Sequence, residues 1–189
     1  GGGAIITEKR SVYLTAKAKN TLSKAVVNHS GVIEANRLTQ NAKGEIILLG
    51  DMQVGETIVS GQLSATGHNG QDGGFIETSA AKVNIANTTK VSTLSDSGKT
   101  GQWLIDPTDF TIAATGGNTT GSLLSSELES SNITIQSTSG STGTKCDINV
   151  NDSVTWSSNT LTLKALNDIN INTAMTASEL PAGLINSRE

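Results

Sequence analysis

Few side chains in this sequence are equipped for chemistry. The carboxylates best placed for paired acid–base work are Asp106, Asp109, Asp147, Asp152 and Asp168. A lyase or hydrolase built on stacked strands needs two carboxylates, or an acidic calcium site with an Arg or Lys base, on one face. These aspartates stand mostly beside Asn, Pro or Thr, where an acidic side chain accepts backbone hydrogen bonds at turns, and Asp147 and Asp168 recur at equivalent places in a repeat. Recurrence is how a structural corner behaves, so the expectation is no enzyme and no cofactor. His29 and His68 lie far apart without cysteine partners, which predicts exposed turn histidines and no metal site. Cys146, the single cysteine, excludes an internal disulfide and has no histidine near it in sequence. A packed or loop thiol is expected there, not a nucleophile.

Two further groups of residues carry potential binding chemistry. Five Asn-x-Ser/Thr sequons occur, at Asn28, Asn87, Asn118, Asn132 and Asn151, close to the roughly four that chance supplies in so Ser/Thr-rich a chain. Asn28, Asn87, Asn118 and Asn151 are the candidate acceptors; Asn28 and Asn118 are read as turn residues and Asn132 as a strand residue. The second group is Gly101-Gln-Trp-Leu-Ile-Asp-Pro-Thr-Asp-Phe-Thr-Ile112, which holds two of the five aromatic residues and one of the two prolines. Trp103 and Phe110 could stack on a sugar, but Leu104, Ile105 and Ile112 around them predict burial in a local core. Pro107, after Asp106, is expected to end strand pairing and redirect the chain.

The surrounding composition says what must position these residues. Only 35% of the chain is hydrophobic and 3% aromatic, too little for an ordinary globular core of 189 residues. Ser and Thr number 47, Asn 16 and Gly 20, while Ile, Val, Leu and Ala fall in short alternating runs, a β composition. The net charge of −4, with Lys and Arg dispersed, offers no basic stripe for nucleic acid. No apolar run approaches the length of a membrane span. The opening Gly1-Gly-Gly-Ala-Ile5 has no Met and no signal-peptide pattern, and reads as an excerpt of a longer chain.

Repeats supply the architecture. Ser30-Gly-Val-Ile-Glu-Ala35 returns as Ser60-Gly-Gln-Leu-Ser-Ala65, and at the same shift of 30 Gly44 falls on Gly74 and Ile46 on Ile76. A shift of 71 aligns Gly3 with Gly74, Ile5 with Ile76 and Val12 with Val83. Beyond residue 114, Asp147-Ile-Asn-Val-Asn151 returns as Asp168-Ile-Asn-Ile-Asn172, a shift of 21 with three short strands per repeat. These features predict an all-β fold, a right-handed parallel β-helix (β-solenoid) of roughly seven to nine coils and about 40 Å of axis. Residues 1–100 form coils with long loops, 101–114 the aromatic and proline joint where the spacing changes, and 115–189 coils of about 21 residues. A short helix is expected near Ser122–Ser131, with Ser122 as its cap. Leu38–Ala42 and His68–Asp72 are expected to bulge outward as loops free of stacking.

With these residues in view, the chain resembles the filamentous haemagglutinin-type exoproteins of bacterial two-partner secretion, in the high-molecular-weight adhesin and haem-haemopexin-binding branch. The likeness rests on the Ser-Gly-x-Ile/Leu-x-Ala and Gly-x-Ile units of Ser30–Ile85, on Gly101-Gln-Trp-Leu-Ile-Asp-Pro107 with Phe110-Thr-Ile112, and on the rhythm of Leu161–Asn172. The resemblance implies a secreted β-helical fibre at the cell surface, exported through an outer-membrane pore partner without inserting in the membrane. It implies attachment to a host cell-surface or serum protein or glycan, residues 1–100 including the end of the secretion domain, and hexose addition at sequons. Capture of a haem-carrier protein of haemopexin type, or a non-binding stalk or secretion scaffold, are the alternative expectations.

Overall fold

The computed structural model describes residues 3–7, 11–16, 26–137, 144–178 and 183–188. Short strands recur in a three-beat order. The first three coils run β1 (Ala4–Ile6), β2 (Val12–Thr15) and β3 (Val26–His29); β4 (Val32–Glu34), β5 (Glu45–Leu49) and β6 (Glu56–Val59); then β7 (Gln62–Ser64), β8 (Phe75–Ser79) and β9 (Lys82–Ile85). Next come β10 (Lys90–Ser92), β11 (Gln102–Asp106), β12 (Phe110–Ile112) and a helix, α1 (Gly121–Glu127). The remaining strands are β13 (Asn132–Ser137), β14 (Ile148–Val150), β15 (Val154–Trp156), β16 (Thr160–Ala165), β17 (Ile169–Ile171), β18 (Met175–Ala177) and β19 (Gly183–Arg188).

All the strand pairs are parallel and join one coil to the next. They form sheets ordered β1-β4-β7-β10, β3-β6-β9, β12-β14-β17 and β15-β18, beside a seven-stranded sheet, β19-β16-β13-β11-β8-β5-β2. Stacked parallel sheets of short strands with one short helix are consistent with a β-solenoid-like arrangement. Seven layers span about 29 Å at a strand spacing of about 4.8 Å, shorter than the expected axis because loops and the helix lengthen many coils.

Alternation within each strand builds the core. Along the long sheet, Val12, Ile46, Ile76, Trp103, Ile133 and Leu161 stack in one inward ladder, and Leu184, exposed on the last strand, continues it in register. Ile46, Ile76, Ile133 and Leu161 are fully buried, and each such side chain contributes about 1.5–3 kcal/mol. Their strand neighbours turn outward, which is why Ser, Thr and Asn are tolerated in such numbers.

The repeats read from the sequence divide by what the register does with them. The shift of 30 is the true coil step: Ile33 pairs with Leu63 and Ile46 with Ile76. The shift of 21 is also true, with Ile148 on Ile169 and Thr155 on Thr176. The shift of 71 is not. Ile5 lies on Ile33 and Val12 on Ile46, in different sheets from those the alignment predicted. The cause is that two corners impose the same signature. In one, an added Cβ on Gly31 or Gly61 would fall inside van der Waals contact of the carbonyl oxygen of Gly3 or Gly31; in the other, the same holds for Gly74 over Gly44 and Gly101 over Gly74. Both corners therefore read Gly-x-apolar, and only the register assigns Gly3 to the first.

The long sheet also runs through the aromatic joint without interruption. β11 pairs with β8 and β13, at steps of 27 (Ile76 to Trp103) and 30 (Trp103 to Ile133). The change to 21 comes later, at β14 and β17. As expected, pairing in this sheet ends at Asp106, and the chain resumes at Phe110 in a different sheet. The helix begins earlier than the leucines suggested. Thr120, not Ser122, is its cap, with Oγ1 accepting the Leu123 N–H at 3.1 Å, and Leu123, Leu124 and Leu128 are buried.

The corner contact predicts that Gly74→Ala costs about 1–3 kcal/mol, read as a lowered denaturation midpoint. Gly183→Ala, whose new Cβ meets nothing nearer than Thr160 Oγ1 at 3.9 Å, is expected to stay within about 0.5 kcal/mol of the parent.

Candidate functional site

The aromatic joint is core. Trp103 and Phe110 are almost wholly buried, 1% and 0% exposed, and Pro107 is buried between them. Trp103 Nε1 donates to Thr78 Oγ1 at 3.1 Å, which satisfies a buried hydroxyl that sits in the inward ladder between Leu48 and Ile105. No ring face is left for a sugar.

The aspartates divide into four turn residues and one exception. Asp109 Oδ1 accepts the Asp147 N–H at 3.0 Å, and Asp147 Oδ1 accepts the Asp168 N–H at 3.1 Å, so each corner carboxylate holds the next coil. Asp152 accepts from the Gly121 N–H at 2.8 Å. Asp106 differs: Gln136 Nε2 reaches its Oδ2 at 3.5 Å, while its buried Oδ1 has no hydrogen-bond partner among the described residues. Burial, then the nearby Glu77 charge, pushes the Asp106 carboxyl up to about 6. No group of three or more His, Cys, Asp or Glu with metal-site geometry is found among the described residues.

The histidines separate. His29, expected at an exposed turn, is instead a buried strand residue whose Nε2 lies 3.1 Å from the Gln62 carbonyl, and burial lowers its pKa. Its place in β3 at an inward-facing position explains the difference. His68 is partly exposed, with Nε2 at 2.8 Å from Thr66 Oγ1 and Nδ1 at 3.8 Å from Asp96. Cys146 is buried at positive φ, with Sγ 3.7 Å from Thr144 Oγ1.

The sequons are unequal. Asn28 is exposed, but in β3 rather than in a turn, since its segment continues the β3–β6 ladder. Asn87 is exposed in a turn and accepts from Thr120 Oγ1 at 2.7 Å. Asn118 Nδ2 donates to Asn84 Oδ1 at 3.0 Å, and Asn118 Oδ1 accepts the Thr111 N–H, so this amide is occupied at both ends. Asn151 is exposed and accepts from Asn172 Nδ2 at 2.8 Å. Asn132 lies in β13 and donates to the Thr100 and Gly101 carbonyls.

The two loops do project, but they are stacked rather than free. Arg37 bridges to Gly67 and Gly67 to Ser95, continuing the coil-to-coil pairing outward. Arg37 donates from Nε to the Ala42 carbonyl and from a terminal nitrogen to the Asp72 carbonyl, both at 3.1 Å. Asn69 Nδ2 donates to the Leu38 carbonyl at 3.0 Å, and the Asn69 N–H to Asp96 Oδ2 at 3.2 Å. Unpaired loop amides would bear a desolvation cost where coils crowd together, and stacking removes it. The result is a lateral ridge with Leu38, Gln40, Asn41, Asn69, Leu94 and Lys99 exposed on it.

One group escaped the sequence reading altogether. Glu127, in α1, is 5% exposed and lines a groove of about 330 Å³ with Gln62, Lys90, Ser92, Ser126 and Ser130. Its Oε2 accepts the Val91 N–H at 2.6 Å. Burial raises its carboxyl to about 7, against the opposing pull of the Val91 N–H and Lys90. A glutamate within Glu-Leu-Glu in a serine-rich segment reads as solvent-facing, and only the packing reveals otherwise.

Comparison with protein-family models, curated proteins and solved structures found no match.

The Asp106 geometry sets a pH dependence. Its folded pKa is raised, so its contribution to stability is fully present below about pH 4 and is lost as pH rises through about 6. Asp106→Asn is expected to raise the melting temperature relative to the parent above pH 6, with the advantage vanishing below pH 4. Two melting curves that stay parallel from pH 3 to 8 would show that the carboxyl ionises without penalty.

Proposed function

We propose that this chain is a right-handed parallel β-helical segment of a secreted bacterial surface adhesin of the filamentous haemagglutinin type. In this reading it is exported through an outer-membrane pore partner and displayed outside the cell. The handedness follows from the strong right-handed preference of parallel crossover connections. The fibre attaches to a host cell-surface or serum protein or glycan through its lateral ridge. The observation that carries the reading is the stacking of the 38–41 and 69–72 loops, which presents side chains from consecutive coils on one fixed surface. A pre-ordered surface binds without the cost of ordering loops on contact. The burial of Trp103 and Phe110 supports the same assignment by leaving the ridge, and not the joint, as the outward-facing feature.

The tied hydrogen bonds of the ridge also favour a second reading, a rigid stalk that binds nothing itself. Binding of the folded protein to epithelial cells, serum proteins including haem carriers, and glycans separates the two. Replacing exposed Leu38, Gln40, Asn41 and Lys99 together with alanine is expected to reduce saturable cell binding at least about tenfold, about 1.4 kcal/mol, with the fold retained by circular dichroism. Saturable binding to one haem carrier alone would favour carrier capture, and absence of binding by the parent protein would favour the stalk.

A further inference from the structure

The α1 segment occupies the place of a strand. On one side, β10 is the edge of the β1-β4-β7-β10 sheet, and the next strand in that position, β15, comes only after α1. The backbone of β10 is nevertheless satisfied. The Val91 N–H donates to Glu127 Oε2 at 2.6 Å, Ser130 Oγ donates to the Val91 carbonyl at 2.8 Å, and the Thr93 N–H donates to the Ser130 carbonyl at 3.0 Å. On the other side, the Thr155 N–H donates to Ser125 Oγ and the Ser157 N–H to Glu129 Oε1, both at 2.9 Å. Side chains of α1 and of the turn that follows it, with the Ser130 carbonyl, thus splice two sheets that would otherwise end in open edges.

We propose that Glu127 makes this splice a proton-sensitive latch: protonated, it holds α1 on the edge of β10, and ionised, it loosens α1 and opens that edge. The Glu127 carboxyl accepts the Val91 N–H in either form, so ionisation changes the cost of burial and leaves that bond available. The charges around it are few. Lys90 of β10 is on the rim of the groove, Glu129 is turned toward Ser157 of the chain after β15, and Asp152 is engaged at the Gly121 N–H. β7 contributes Gln62 and Leu63 to the groove, neither of them charged. The groove gives the ionised carboxylate a route to water that the core does not. The sign is set by a folded pKa near 7 against 4.5 when free. The latch is fully held below about pH 4.5 and is lost as pH rises through about 7. This inference is independent of the adhesin reading.

Amide hydrogen exchange of the whole protein at pH 5.5 and 8.5, corrected for intrinsic exchange rates and carried out with Asp106→Asn in every variant so that the pH dependence of the long sheet is removed, tests it. Protection of Val91 and Thr93 is expected to fall about tenfold or more across that range, while Ile76 and Ile133 in the long sheet keep theirs. Glu127→Gln, which retains an acceptor for the Val91 N–H, is expected to hold its protection flat. Lys90→Met, which removes the cation that favours the ionised carboxylate, is expected to deepen the fall at pH 8.5, because the cost of holding α1 closed then goes on growing to higher pH. Equal protection at the two pH values in the parent, a parallel fall in Glu127→Gln, or a fall shared by Ile76 and Ile133 would each overturn the latch.

Discussion

Everything in this molecule depends on the backbone of one coil lying directly on the backbone of the next. Parallel pairing fixes the vertical step at one strand spacing, and at the corners the carbonyl of the coil below fills the space where a Cβ would stand. Glycine at Gly31, Gly61, Gly74 and Gly101 is therefore a steric necessity, and the repeats are the trace of it in the chain. The same step dictates the inward ladders. Identical positions in successive coils face the same neighbours, so Ile, Leu and Val serve again and again and few aromatic residues are needed.

Such a stack tolerates irregularity only where hydrogen bonding is made whole. The segment Asn118–Thr119 shows one solution: the Ile85 N–H donates to the Asn118 carbonyl and the Asn118 N–H to the Thr111 carbonyl, which bridges a gap between β9 and β12. The α1 splice is another, in which Glu127, Ser130, Ser125 and Glu129 do with side chains what a strand does with its backbone. A helix presents its own peptide groups along its axis, so it has none to offer sideways and must borrow them from side chains. The result is a carboxyl buried by the splice itself, with its pKa raised to about 7.

The outward surface follows from the same stacking. Loops of similar length at equivalent places in three coils extend the ladder beyond the sheets, and Arg37, Asn69 and Asp96 tie them together. A ridge of this kind combines the rigidity of sheet with side chains that no inward packing constrains. The joint at Trp103 and Phe110 plays the opposite part: its aromatic bulk fills the interior, and Thr78 supplies the hydroxyl that the indole N–H needs there.

The sequence by itself determined the mostly β character with stacked short strands, the coil steps of 30 and 21 residues, the burial of the joint and the corner role of Asp147 and Asp168. Each is a contact between equivalent positions of neighbouring coils, and such contacts leave a periodic mark. It was silent or misleading wherever the partner stands outside the period. The shift of 71 failed because two corners with the same steric demand carry the same Gly-x-apolar pattern, and residue types cannot say which corner a glycine turns. His29 reads as a turn residue because Asn28, Ser30 and Gly31 around it are turn formers, and its inward direction is set by the pairing of β3 with β6. The loops read as free because the hydrogen bond from Asn69 to Leu38 joins residues with no pattern in common. Glu127 was invisible for the deepest reason: its burial exists only once α1 replaces a strand, and that substitution is decided by the packing of Leu123, Leu124 and Leu128 into the tertiary core.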